Sequence, residues 1–221
     1  MTTIKLRNSA ALLLAACSLL LGACSESTPP EAEFWQWFSE HAGRLSWARS
    51  VAGNAAASEI ADRLAALHPG LVYELQGEPG ADRVLILSAQ GSPEVARVVS
   101  ALAAAAPEIE GWRIRAFRPR LPLDSIISYR GFALDPRDVW FSYVPEPDGD
   151  AAAKLDLYLP GIGGATHELA REAGLLMLHA AIGERTATER VGQVEFHMAP
   201  DDPVAAKLMP LDVLPELLPE H

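Results

Sequence analysis

Cysteine is almost missing. The chain has two among its 221 residues, Cys17 and Cys24, both within the first 24 positions. The rest can therefore form neither a disulfide framework nor a thiolate zinc site. Its stability must come from an apolar core, and about 200 residues suffice for one domain or two joined halves. Positive charge is scarce too: 18 Lys and Arg stand against 29 Asp and Glu, a formal charge of −11. Such a surface, as a whole, suits neither nucleic acid nor anionic headgroups. No apolar run reaches the length of about 20 residues that spans a bilayer; the run Ala10 to Leu21 is too short. Catalytic signatures are lacking as well. There is no G-x-S-x-G elbow, and no cysteine in a reactive setting. Pro160 to Thr166 is glycine-rich but fits neither the dinucleotide nor the Walker pattern. In His167-Glu168-Leu169-Ala170-Arg171, arginine stands where a zinc-protease helix needs its second histidine. Neither cofactor nor metal is expected from these patterns.

What is present begins with an address. Lys5 and Arg7 precede the apolar segment Ala10 to Leu21, and small residues follow, which is the layout of a secretory signal. Leu21-Gly22-Ala23-Cys24 resembles the lipobox of bacterial lipoproteins. That resemblance implies cleavage before Cys24, acylation of Cys24, and a domain tied to the membrane by lipid. In that family an Asp after the cysteine favours the inner membrane; Ser25 stands here, so the expected place is the outer membrane, facing the periplasm. Residues 1–23 would be the signal and 24–33 a tether, leaving a mature chain of charge −13. Ser25 to Glu33 has two prolines and no apolar period; at about 3.3 Å per extended residue it reaches roughly 30 Å.

Residues 34–221 read as a single α+β domain with possible halves 34–120 and 121–221. Phe34, Trp37, Phe38, His41 and Leu45 mark the stripe of an amphipathic helix. Trp35 and Trp47 lie off it, and the aromatic cluster suits core packing better than a ligand shelf. A second helix runs from about Ala56 to Leu67. Leu71 to Leu75 and Arg83 to Ala89 read as strands. Ser92, Pro93 and Glu94 open a helix that Pro107 stops, and Trp112 to Phe117 alternates as a strand. The second half repeats this order: strands Val139 to Val144 and Leu155 to Leu159, a helix from Thr166 to Ile182 closed by Gly183, and a strand from Val191 to Met198. Ile126 to Phe132 is one further strand candidate, and Leu211 to Leu218 a short helix. Hairpins give antiparallel pairs and helix crossovers parallel ones. The expected fold is a mixed, largely antiparallel sheet, single or in two fused parts, with helices on one face.

Two constellations carry charge chemistry. Arg113, Arg115, Arg118 and Arg120 crowd into eight residues of an acidic chain. On a strand, Arg113 and Arg115 share a face, opposite Trp112 and Ile114. They either neutralise the chain's own carboxylates, the commoner fate, or hold a carboxylate or phosphate in bidentate fashion. Glu195 and His197 share a strand face and could serve acid–base chemistry, although a satisfied histidine is the commoner finding.

The series Phe34-Trp35-x-Trp37-Phe38, His68-Pro69-Gly70-Leu71 and Phe117-Arg118-Pro119-Arg120 resembles a family of uncharacterised bacterial proteins, over about residues 34–120. That resemblance implies no activity. Taken together, the residues point to a non-enzymatic envelope protein that binds a macromolecular partner or supports the envelope. Two alternatives stay open: a hydrolase or transferase whose site is assembled in space, and an acidic immunity-type inhibitor of a basic toxin.

Overall fold

The structure, a computed structural model, describes residues 28–49, 54–144 and 153–219. The lipobox, Cys24 and the expected turn Pro145 to Asp150 lie outside the described residues. The fold is α+β.

The first half opens with helix α1 (Pro30–Leu45). It starts four residues earlier than the apolar stripe suggested, inside the expected tether. Pro30 needs no amide partner at a first-turn position, and Glu31 and Glu33 favour the positive helix end. Helix α2 (Ala55–Leu67) follows, capped by the Asn54 side chain on the Ala57 amide. Strands β1 (Val72–Gln76) and β2 (Arg83–Ser88) pair antiparallel, and helix α3 (Pro93–Ala104) returns the chain to β3 (Trp112–Ala116), parallel to β2. Strand order is β1-β2-β3, so β3 is an edge strand.

All three helices bury their apolar faces on one side of this sheet, against Leu85, Leu87 and Trp112. Trp35 is 2 % exposed despite lying off the helical stripe, because its indole nitrogen donates to the Leu102 carbonyl at 2.7 Å. That bond satisfies a carbonyl near the end of α3, which lets α1 bury two faces instead of one. Phe38 meets Trp112 edge-on at 4.8 Å, and the Trp112 indole donates to the Ala42 carbonyl. Phe34, Trp35, Trp37, Phe38 and Trp112 are core, but Trp47, expected among them, is 65 % exposed and lies over Gly80 at the surface.

The second half begins with the hairpin β4 (Ile127–Tyr129) and β5 (Phe132–Leu134), not a single strand. Arg130 and Gly131 both take positive φ, the turn that matches strand twist in a two-residue hairpin. Strands β6 (Trp140–Val144) and β7 (Ala153–Leu159) pair antiparallel. Helices α4 (His167–Ile182) and α5 (Glu184–Arg190) then lead to β8 (Val191–Met198), parallel to β7. A two-residue strand β9 (Met209–Pro210) flanks β6 and leads through a 3-10 turn to helix α6 (Leu214–Leu217). The order is β8-β7-β6-β9.

Leu155, Leu157 and Leu159 alternate with Lys154, Asp156 and Tyr158 along β7, so one sheet face meets α4 and the other stays outside. Gly174 is what lets α4 lie so close: a side-chain carbon there would stand 2.7 Å from Phe196 Cε1 and 2.8 Å from Leu159 Cδ1. Each half thus runs strand, antiparallel strand, helix, parallel strand, with its own core.

Candidate functional site

The two halves meet where β2 and β3 end. Beyond β2, Gln90 and Gly91 take positive φ and turn the chain into α3; beyond β3, Phe117 does the same. This left-handed residue drops the Phe117 ring into the core and sends Arg118 the other way. Opposite these ends, Gly183 breaks α4 and delivers Glu184, which is fully buried. One Glu184 oxygen accepts from Ser88 Oγ at 2.9 Å and the Ala89 amide at 2.7 Å; the other accepts from the Arg118 amide at 3.0 Å. The Glu184 amide donates to the Arg118 carbonyl at 3.0 Å, and the Leu121 amide to that of Ala180 at 2.8 Å. A buried carboxylate is tolerable only when so fully bonded. Glu184 is the lock between the halves.

Beside it lies a cleft of about 220 Å³, lined by Glu74, Gln90, Arg118, Tyr129, Glu172, Leu175, Leu176 and His179. The Arg118 guanidinium pairs with Glu74 and stands 3.9 Å from Glu184. His179 is 1 % exposed, and neither ring nitrogen has a hydrogen-bond partner. Burial pushes its pKa down to about 4; Glu184 pulls the other way, and Arg118 adds to the lowering. The imidazole is therefore neutral near pH 7. Its nearest feature at the turn is Gly91, where an added carbon would sit 3.5 Å from Nε2. No hydroxyl is bonded to His179, and the Ser88 hydroxyl donates its hydrogen bond to Glu184, so no nucleophile–base couple forms here.

The four arginines do not make one patch. Arg118 is spent on Glu74 and Glu184, with its side chain 15 % exposed. It is structural, because it offsets two carboxylates at the seam. Arg120 is exposed beyond the strand. Arg113 and Arg115 share the outer face of β3, and among the described residues neither has an acidic partner. Together with Gln76 and Val84 they line a recess of about 350 Å³. β3 is an edge strand rather than a central one, which leaves both guanidiniums open to solvent.

The remaining candidates separate cleanly. Arg171, standing where a zinc-protease helix would carry its second histidine, pairs with Glu168 and Glu172. Thr166 Oγ1 donates to the Gly161 and Gly163 carbonyls, which makes the glycine-rich segment a self-satisfied connector. Among the described residues, the side chains able to gather on a metal ion are Asp156, Glu195 and His197, on the outer face of the second sheet. Asp156 was not singled out in the sequence, since only the β7–β8 register brings it opposite Glu195. Glu184 and His179 were missed too; a glutamate directly after a helix-ending glycine was the one available hint.

No family model, curated protein or solved structure matches this chain.

Proposed function

We propose that this chain is a lipid-anchored protein of the bacterial envelope, attached through Cys24, which binds an anionic group of an envelope partner. The observation that carries the binding reading is the pair Arg113 and Arg115: two neighbouring guanidiniums on one recess, without acidic partners among the described residues, in a chain of formal charge −11. Exposed arginines in so acidic a protein have many carboxylates available, and leaving two unpaired suits a forked contact with a carboxylate or phosphate. Anchoring rests on Leu21-Gly22-Ala23-Cys24. A dually or triply acylated end attaches stably where a single chain is marginal.

Both arms are tested on the full chain in its host membrane. Labelled palmitate should enter the wild type and not Cys24→Ala, and Cys24→Ala should leave the membrane fraction. A partner recovered from detergent-solubilised envelope should be lost from Arg113→Gln/Arg115→Gln and kept by Arg120→Gln. Equal recovery from all three proteins would end the binding reading.

A catalytic alternative, a hydrolase or transferase, is favoured by one observation: the two unpartnered nitrogens of buried His179 beside the cleft. It requires a substrate that brings its own nucleophile or water to the imidazole.

A further inference from the structure

The outer face of the second sheet carries its own cluster. Register places Asp156 of β7 beside Glu195 of β8, and Tyr158 beside His197, with Ser142 of β6 opposite Asp156. Because strand side chains alternate, these groups share the face away from the leucine core.

Each carboxylate is divided between two tasks. Asp156 Oδ2 accepts from Ser142 Oγ at 3.1 Å, while Oδ1 has no hydrogen bond although it is shielded from solvent. Glu195 Oε1 accepts from Gln193 at 2.9 Å and from Lys154 at 3.0 Å, while Oε2 turns to His197. His197 Nε2 stands 3.5 Å from Asp156 Oδ1 and 3.7 Å from Glu195 Oε2, and its ring is stacked on Tyr158 at 5.0 Å. One oxygen of each acid is thus held from behind, and the other converges with an imidazole nitrogen.

Two ligands bound to one zinc ion at about 2.1 Å in a tetrahedron stand about 3.4 Å apart. The two separations from His197 Nε2, 3.5 and 3.7 Å, need only a small contraction, and all three ligand atoms lie within 4.8 Å of one another. Neutral donors that grip the outer oxygens of a ligand set, as Ser142 and Gln193 do here, are the usual support of a metal site. Shielded carboxylate oxygens are mostly hydrogen-bonded, so the unbonded Oδ1 of Asp156 is a ligand atom in want of a partner.

We propose that Asp156, Glu195 and His197 bind a divalent transition-metal ion, zinc being the first candidate, on the outer face of the second sheet. One nitrogen and two oxygens suit zinc or manganese better than copper(I) or a cluster, which want sulfur. Three protein ligands on a partly exposed face leave a position open for water or a substrate oxygen. Lys154, with Nζ 3.9 Å from Asp156 Oδ1, opposes the ion by its charge and limits its affinity.

The test is equilibrium dialysis of the purified, chelator-stripped full chain in detergent against zinc chloride alone, with the bound metal counted. The wild type should hold one equivalent. Asp156→Asn and His197→Ala should each weaken binding by at least about tenfold, and Lys154→Met should tighten it several-fold. Glu195→Gln, at a half-buried position on the face away from the core, should also lose the equivalent. Cobalt added to the wild type should give a visible absorption band that His197→Ala lacks. The proposal is overturned if the wild type binds no stoichiometric zinc, if the ligand variants keep it while folded, or if Lys154→Met weakens it.

Discussion

Glu184→Gln is the sharpest probe of how the halves hold together. The amide keeps the shape of the side chain but can accept at only one end. If its oxygen takes the place that accepts from Ser88 and Ala89, its NH2 faces the Arg118 amide, donor against donor. One charge-assisted bond is lost, worth about 1.5–3 kcal/mol, and a buried amide is left unpaired at about 1–3 kcal/mol. The Arg118 guanidinium at 3.9 Å also loses a partner. A loss of about 3 kcal/mol is expected for Glu184→Gln, and about 5 kcal/mol for Glu184→Ala, which breaks a buried pair outright. In a domain of this size each kcal/mol moves Tm by about 2–4 °C, so Glu184→Gln should melt about 6–12 °C lower. Urea denaturation gives the free energy directly, and the exposed Glu189→Gln in the same helix is the control, with a change under about 0.5 kcal/mol. If Glu184→Gln lies within 1 kcal/mol of the wild type, Glu184 is not the lock.

Three further outcomes follow from single contacts. Trp35→Phe keeps the ring but strands the buried Leu102 carbonyl, and should cost about 1–2 kcal/mol by chemical denaturation; no change would mean water replaces the indole. Gly174→Ala should destabilise by about 1–3 kcal/mol although alanine favours helices, because its methyl meets Phe196 and Leu159 under 3.0 Å; a neutral result would show that α4 shifts freely. His179, faced by Glu184, Arg118, Glu172 and Glu74, has its pKa lowered to about 4 by burial. The unfolded chain takes up this proton near pH 6.5 and the folded chain only near 4, so the contribution of His179 is complete above about pH 6.5. It is lost as pH falls from there to about 4, an effect on the order of 3 kcal/mol. His179→Leu should flatten the fall of stability with acid between those values, and an unchanged slope would assign it to other groups.

Much of the fold was legible because its signals are local. The Ser92-Pro93-Glu94 start of α3 and the Gly183 end of α4 are read from neighbouring residues alone. The alternation of β7 carries its own period. The features that were not legible depend on distant partners. Trp35 buries because the Leu102 carbonyl is 67 residues away, and α5 exists because Glu184 reaches Ser88 and Arg118. The hairpin β4–β5 reads as one strand in the sequence because Arg130 at its turn is not a usual positive-φ residue. For the site, sequence density singled out the arginines but could not divide them. Arg118 differs from Arg113 and Arg115 only through Glu74 and Glu184, which tertiary structure supplies.

The central proposal is that the face bearing Arg113 and Arg115 binds an envelope partner, with the chain anchored through Cys24 as proposed. Gln76, exposed and lining the same recess, offers a position for a genetically encoded photo-crosslinker. In living cells, irradiation should join an envelope component to Gln76, and this adduct should vanish when Arg113 and Arg115 are both changed to Gln. A crosslinker at exposed Asp201 should give none. No adduct at Gln76, or one that survives loss of both arginines, would contradict the account.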